Sequence, residues 1–187
     1  MGRPRLHSDD AILDAARSLV LERGARATTI GAIARASGAP KGSVYHRYAS
    51  VDDLLAAMWI RAARRAQSAF LDALDDPDAV TAAVAAALSL HDFAQRHPAD
   101  ARLLASMRAQ DLVAGDVGDL NRPLRAAIAR LARRLYGSAT ASNVERTLCA
   151  VVDLPLGAVR RHLVAGSALP RTLRGQLEAA VRAALGA

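Results

Sequence analysis

Apolar residues recur along most of this chain at intervals of three and four, the spacing that places them on one face of an α-helix. The first such segment follows Ser8, a typical residue at a helix N-terminus, and ends at Gly24. No segment alternates for long with a period of two, as a half-buried strand would. The pattern therefore predicts an all-α protein.

Residues 28–48 read TTIGAIARASGAPKGSVYHRY, and they predict two short helices joined by a tight turn. Gly38 suits the turn because glycine tolerates positive φ, and Pro40 suits the start of the second helix. That second helix places Val44 and Tyr48 inward, four residues apart. Its outward side chains are Lys41, Ser43, Tyr45 and His46. The spacing fits a helix-turn-helix whose second helix can enter a DNA major groove, and an ordinary helical hairpin is the alternative.

Within this segment, IARASGAPKGSVYHRY resembles the DNA-binding signature of the TetR (tetracycline-repressor-like) family of bacterial regulators. The context agrees, since an amphipathic helix precedes it and a long helix opening with VDDLL follows it. The resemblance covers roughly Ser8 to Met58. One position departs from the family: Val51 stands where a lysine usually precedes the acidic pair, so the loss of a phosphate contact there stays open.

The resemblance implies a helix-turn-helix DNA-binding domain in residues 1–49, which binds double-stranded DNA. The contacts that we expect are Arg5, Thr28, Thr29, Lys41, Gly42, Ser43, Tyr45 and His46. Thr29, Lys41 and Tyr45 are predicted to hold phosphates, whereas Ser43 and His46 could meet base edges. Arg5 belongs to a short basic arm that can reach a minor groove, and a frayed terminus is the alternative.

Residues 50–187 are then predicted to form a ligand-sensing and dimerisation domain, with a helix over 50–74 bridging the two parts. Ser50 and Asp53 resemble a capping box at its start, and Arg61, Arg64 and Arg65 are expected on a solvated face. The bulkiest side chains of this Ala-rich part are the predicted lining of an effector pocket, with plain core packing as the alternative. They are Met58, Trp59, Phe70, Phe93, Leu103, Leu104 and Met107.

The last two predicted helices, about 142–165 and 170–185, carry apolar stripes that we expect to pair with their copies in a homodimer. Ser142 and Glu145 form a capping box for the first of them, and Pro155 should kink it. The predicted interface residues are Val144, Leu148, Val152, Leu173, Leu177 and Val181. The alternative is that these stripes close the core of a single subunit.

The composition supports DNA binding through its distribution of charge, and it indicates the cellular compartment through its single cysteine. Among the first 50 residues eight are basic and four acidic, so over half of the net charge of +7 lies around the predicted DNA-binding segment. Lys41 is the only lysine. The single cysteine, Cys149, excludes an intramolecular disulfide framework and favours a reducing cytoplasm. We expect neither a signal peptide nor a membrane-spanning segment.

Motifs of catalysis are lacking in the sequence. The five histidines are scattered and form no HExxH or Cys/His set, and no GxSxG or phosphate-binding loop occurs. We therefore expect no metal, no cofactor and no enzyme, although a helical enzyme remains a third interpretation. The sequence favours a ligand-responsive transcriptional regulator, most simply a repressor that a small molecule releases from a palindromic operator. The main alternative is a DNA-binding adaptor whose body binds a protein partner.

Overall fold

A computed structural model describes residues 8–107 and 117–186, and these ranges contain helices and no strands, which confirms the all-α prediction. The helices are α1 (Asp9–Arg23), α2 (Ile30–Ser37), α3 (Lys41–Arg47), α4 (Val51–Asp72), α5 (Ala79–Arg96), α6 (Pro98–Ser106), α7 (Val117–Leu120), α8 (Arg122–Tyr136), α9 (Ala141–Leu148), α10 (Leu154–Val164) and α11 (Leu173–Leu185). Short 3₁₀ turns occupy Ala25–Ala27 and Ala73–Asp75, and a π-helical turn occupies Cys149–Asp153.

The first buried cluster, called the head core below, lies where α1 packs on α2 and α4. Its residues are Ile12, Leu13, Ala16, Leu19, Val20, Ile30, Ile33, Ala34, Ala39, Val44, Leu54, Leu55, Met58, Trp59, Ala62, Ala63, Leu103 and Leu120. The Ser8 hydroxyl caps α1 by accepting from the Ala11 amide at 3.2 Å, and Gly24 ends it at φ 81°. The head core extends past the predicted domain boundary at residues 49 and 50, because side chains of α4 and α6 also pack in it.

The second cluster, the body core, is organised around α5, which packs against α4, α8, α10 and α11. Its residues are Phe70, Ala83, Val84, Ala86, Ala87, Leu88, Phe93, Ala94, Ala101, Ile128, Leu131, Ala150, Val151, Val159, Leu173, Leu177, Val181 and Leu185. Alanines on α5 carry little side-chain volume, so neighbouring helices approach it closely. Phe70, Ile128 and Leu131 are among the largest side chains of this core, at 1–2% exposure.

The rod α4 connects the two cores, as the sequence predicts. Its 22 residues span about 33 Å at 1.5 Å per residue. The Ser50 hydroxyl accepts from the Asp53 amide at 3.1 Å and donates to the Asp53 carboxylate at 2.7 Å. Asp53 therefore bonds the hydroxyl of its capping residue, because a short aspartate side chain replaces the glutamate of the usual capping box.

The cap predicted for the helix over about 142–165 is wrong. The segment predicted as one helix over 142–165 begins at Ala141 and is capped by Thr140, whose hydroxyl accepts from the Asn143 amide at 3.3 Å. The Ser142–Glu145 capping box is not the observed cap. The predicted disturbance at Pro155 takes the form of the π-helical turn just before it, because proline has no amide to continue the α-helical ladder.

The apolar stripe of α11 faces the interior of the subunit, which corrects half of the predicted dimer interface. Leu173, Leu177 and Val181 are 3%, 3% and 0% exposed and belong to the body core, where α11 packs on α5. Their i, i+4 spacing is that of any helix with one buried face, so spacing could not distinguish the two interpretations. Within the described ranges, no helix is long and apolar enough to span a bilayer.

Candidate nucleic-acid interface and apolar cleft

The turn between α2 and α3 is built by Ser37, Gly38 and Pro40, each in a different way. The Ser37 hydroxyl donates to the Ala34 carbonyl and accepts from the Ala39 amide, both at 3.3 Å. Gly38 ends α2 in the left-handed region at φ 70°, a conformation that glycine adopts without steric cost. Pro40 then flanks the first turn of α3. The result is a helix-turn-helix with a short second helix.

One side of the second helix, α3, packs against the head core, and the other side is exposed to solvent. Val44 is 0% exposed in the head core, whereas Tyr45 is 50% exposed. Lys41, Gly42 and His46 are exposed and Ser43 is half-buried. The Lys41 ammonium lies 5.7 Å from the centre of the Tyr45 ring, within the range of a cation–π contact. A cation, an aromatic ring and two small residues thus share an outward face.

The two threonines before α2 have different roles. Thr29 is exposed, and its hydroxyl caps α2 by accepting from the Ala32 amide at 3.2 Å. Thr28 is only 4% exposed, and its hydroxyl donates to the Gly24 carbonyl at 3.0 Å. Thr28 is therefore a structural residue and not a DNA contact, because its hydroxyl is directed into the fold. Arg5 lies outside the described residues.

Two positions near α3 gain a physical explanation. Val51, where the family lysine is missing, is half-buried and packs against the head core, so an apolar contact occupies that position. A Cβ added at Gly42 would meet no other part of the protein within 4 Å. Packing inside this chain therefore does not require glycine there, and its value in letting a partner approach stays a prediction.

An ionic network joins α1 of the head to α4 and α6, and sequence reasoning missed it. Asp100, 2% exposed near the start of α6, accepts from Arg17 of α1 and from Arg65 of α4, the latter at 3.1 Å. Arg61 of α4 bonds Asp10 at 2.6 Å and Asp14 at 2.5 Å. The prediction of a solvated face is therefore wrong for Arg61, whose side chain is 14% exposed, whereas Arg64 and Arg65 are exposed.

The charge state of Asp100 follows from two opposing effects. Burial opposes ionisation of its carboxyl, but the hydrogen bonds and positive charges of Arg17 and Arg65 outweigh burial and hold the pKa of Asp100 below its usual range. Asp100 is thus an anion near neutral pH, clamped between a head helix and the connecting rod. Arg17 and Arg65 are each more than 30 residues from Asp100 in sequence, so no local motif predicts these ion pairs.

A cavity of about 270 Å³, called the apolar cleft below, lies between the head core and the body core. It is lined by Trp59, Ala66, Leu90, Phe93, Ala94, Ala101, Leu104, Ala105, Met107, Leu156, Val159, Arg160 and Leu163. Four of the seven predicted effector contacts are among these residues: Trp59, Phe93, Leu104 and Met107. The walls come from α4, α5, α6 and α10.

The other three predicted effector contacts are core residues. Met58 and Leu103 are 1% and 0% exposed in the head core, and Phe70 is 2% exposed in the body core. Bulk alone selected them, and a bulky apolar side chain fills a core as readily as it lines a cavity. Leu90, Leu156, Leu163 and Arg160 were missed because the π-helical turn and the crossing of α10 over α6 decide which residues face the cleft.

Trp59 belongs to both regions. Its indole N–H donates to the Met107 carbonyl at 3.2 Å, its ring lines the apolar cleft, and it is packed in the head core at 9% exposure. Trp59 is therefore a direct link between the apolar cleft and the packing of the head core.

Comparison with known proteins agrees with this geometry. Residues 12–58 match the family model of bacterial regulatory proteins, tetR family. No curated protein sequence matches the chain significantly. A TetR-like transcriptional regulator from Rhodococcus sp. RHA1 is 23% identical with a TM-score of 0.72, covering 100% of both chains.

Two further solved structures share the fold at lower identity. The fatty acid degradation regulator FadR from Bacillus halodurans has a TM-score of 0.77 at 13% identity, covering 99% of this chain and 96% of that one. The ketosteroid transcriptional regulator KstR2 of Mycobacterium tuberculosis has a TM-score of 0.70 at 18% identity, covering 95% and 93%. Residues 12–58 thus form a helix-turn-helix domain of the tetR family, and the chain as a whole shares the all-α fold of these solved structures.

Proposed function

We propose that this regulator is a repressor that binds a palindromic operator as a homodimer and is released by a small molecule held in the apolar cleft. The observation that carries the proposal is the position of Trp59, which lines the cleft and packs in the head core. It acts in the cytoplasm, where its DNA is.

The DNA contacts belong to the open face of the helix-turn-helix. Thr29, Lys41 and Tyr45 hold phosphates and set the register of α3. Ser43 and His46 reach base edges in the major groove, and Gly42 lets the backbone approach the DNA. Arg5, in the basic N-terminal segment, extends the footprint into a minor groove.

The homodimer forms through the exposed side of α9 and α10. Leu156 and Val164 are 47% and 65% exposed, and they are large apolar side chains of the body that the subunit itself leaves uncovered. Val144, Leu148 and Val152 are half-buried beside them and remain in the proposed interface. A two-fold dimer presents two α3 helices to half-sites about 34 Å apart, which supplies the specificity that one short helix lacks.

Release of DNA follows from the elements that surround the cleft. An effector displaces α6 or rotates α4, and both helices pack on α1 of the head. Asp100 transmits the displacement because it bonds α1 and α4 from α6. The two heads then no longer match the groove spacing, and affinity falls by as much as the effector prefers the displaced state.

The cleft also distinguishes this proposal from a DNA-binding adaptor. An adaptor with a protein partner needs a broad exposed apolar patch, whereas a ligand-binding regulator needs an interior apolar space. The apolar cleft is such a space, and Leu156 and Val164 are the large exposed apolar residues among the described part of the body.

Genomic footprinting with the purified full-length protein tests DNA recognition. We expect protection of two-fold symmetric sites, with an affinity that falls steeply as salt rises because phosphate contacts release counterions. Binding that ignores salt, or no shift with any genomic fragment, would contradict the proposal.

The dimer is tested with Leu156→Arg and Val164→Arg, and with Ala126→Arg on the exposed side of α8 as the control. Both side chains are exposed, so the fold should survive while sedimentation shows monomers and operator binding is lost. Val164→Arg decides the test, because Leu156 also lines the apolar cleft. Ala126→Arg should leave both properties as they are. A wild-type monomer at micromolar concentration would refute the dimer.

A further inference from the structure

The apolar cleft contains one charged side chain. Arg160 of α10 is exposed at the cleft, and the other lining residues are apolar apart from the indole N–H of Trp59, which is already bonded to the Met107 carbonyl. A cation at the edge of an apolar cavity favours a ligand with two different ends. The positive charge attracts an anionic group, and the apolar walls favour a hydrocarbon body.

Arg160 is only partly engaged by the protein. Its Nε donates to the Ala105 carbonyl at 3.3 Å, which satisfies one of the free carbonyls at the end of α6. In residues 8–107 and 117–186 no carboxylate forms an ion pair with it. A guanidinium has five N–H donors, so both terminal nitrogens remain for a ligand in the fork geometry that suits a carboxylate.

The other clefts are more polar or already contain acidic side chains; the neighbouring cleft that contains Arg102, for example, is also lined by Gln95 and Ser167. The cleft beside α1 and α4 contains Arg61, Arg64 and Arg65 together with Asp9 and Asp10, and two of these arginines, Arg61 and Arg65, already form ion pairs with Asp10. The hollow of about 450 Å³ between α4 and α8 likewise contains two arginines and two aspartates.

We propose that the effector of this regulator is a compact apolar acid, with its hydrocarbon body in the apolar cleft and its carboxylate on the terminal nitrogens of Arg160. The inference rests on the proposed function and names the class of its ligand. The volume of about 270 Å³ is at the lower end of the range for small-molecule sites, which starts at about 300 Å³, so the body is small. A carboxylate on Arg160 also adds an ionic contact where α10 meets the end of α6.

The test uses acids and their primary amides, which have the same shape and differ in charge. The probes are 4-phenylbutyrate with 4-phenylbutyramide and octanoate with octanamide, titrated into the full-length protein by calorimetry and by Trp59 fluorescence. We expect at least one acid to bind about ten-fold more tightly than its amide, the size of a hydrogen-bonded charge contact. In Arg160→Gln, acid and amide should bind alike.

Arg102→Gln is the matched control. Arg102 is an exposed arginine of α6 that lines a neighbouring cleft, with which the apolar cleft shares Ala94 and Leu163. The preference for the acid should survive this change. Equal loss in both variants would show a general effect of positive charge, and a preference that survives Arg160→Gln would place the carboxylate elsewhere; either result overturns the assignment.

Failure of this inference and of the proposed function can be told apart. If operator DNA is bound and a neutral compound releases it while both acids fail to bind, the regulator stands and the acid class is wrong. If no duplex DNA is bound, the proposed function itself is wrong. Thermal unfolding of each variant verifies that a lost preference is not a lost fold.

Discussion

Local sequence signals determine the structure of the head much more closely than that of the body. In the head, nearly every local signal has one structural meaning: Ser8 and Thr29 cap helices, Gly38 makes the turn, and Val44 fastens α3 while Tyr45 stays outside. In the body, long apolar stripes fit several partners equally well. A binding face made from adjacent residues can therefore be predicted from the sequence, whereas the lining of a cavity between four helices cannot.

The largest loss of stability should come from truncating one buried side chain in each core. Ile33→Ala in the head core and Ile128→Ala in the body core remove matched side chains that are 0% and 2% exposed. Each should lower the free energy of unfolding by about 2–5 kcal/mol. Because α4 contributes to both cores, we expect one unfolding transition in each variant, with coincident circular dichroism and Trp59 fluorescence. Separate midpoints would mean that the head and the body unfold independently.

Cutting the ionic network should cost less. Asp100→Asn leaves Arg17 and Arg65 without their anion, and we expect a loss of about 2 kcal/mol in unfolding free energy, since Arg65 is partly exposed and asparagine still accepts a hydrogen bond. Asp75→Asn, at an exposed position, is the control and should have little effect.

The same change predicts a pH dependence with a definite sign. The pKa of Asp100 is lowered in the folded protein, so its contribution is present above the unfolded value of about 3.9 and is lost as pH falls through the folded value. Denaturant titrations should therefore show wild type and Asp100→Asn converging below about pH 4. A stability difference that stays constant into acid would contradict the assignment.

Removing the charge of α3 should change DNA binding with little change in stability. Lys41→Ala should weaken every site by about ten-fold and reduce the dependence of affinity on salt by about one ion per head. Arg125→Ala removes an exposed charge from α8 and should do neither. Titrations of one operator and one unrelated duplex at several salt concentrations measure both quantities, and an effect on the operator alone would assign Lys41 to base readout.

The smallest effect, at Gly42, separates what the fold needs from what the partner needs. Gly42→Ala should stabilise the protein by about 0.5 kcal/mol, since alanine favours a helix and meets no atom within 4 Å. Operator binding should nevertheless weaken if the backbone of α3 lies close to DNA. Gly175→Ala in α11 is the matched control, with the same space and no DNA contact. Unchanged operator affinity in Gly42→Ala would remove Gly42 from the interface.

Sequence spacing went wrong wherever a choice depended on distant residues. Leu173, Leu177 and Val181 have the spacing of an interface stripe, but α5 covers them within one subunit. Met58 and Leu103 are as bulky as Met107, yet the first two fill the head core and the third lines the apolar cleft. Thr28 and Thr29 are neighbours of the same type, and only the packing against Gly24 shows which hydroxyl is directed inward.

By itself, the sequence determined the helical class, the helix-turn-helix and the outward face of α3, because caps, turn glycines and helical periodicity act over fewer than about five residues. The tertiary structure alone decided which stripes are buried, that Asp100 joins α1 to α4, and that Arg160 lies at an apolar cleft. Those features depend on the angles and registers at which α4, α5, α6 and α10 cross. Side chains from helices as distant in sequence as α4 and α10 set these crossings together, so no local segment contains the information.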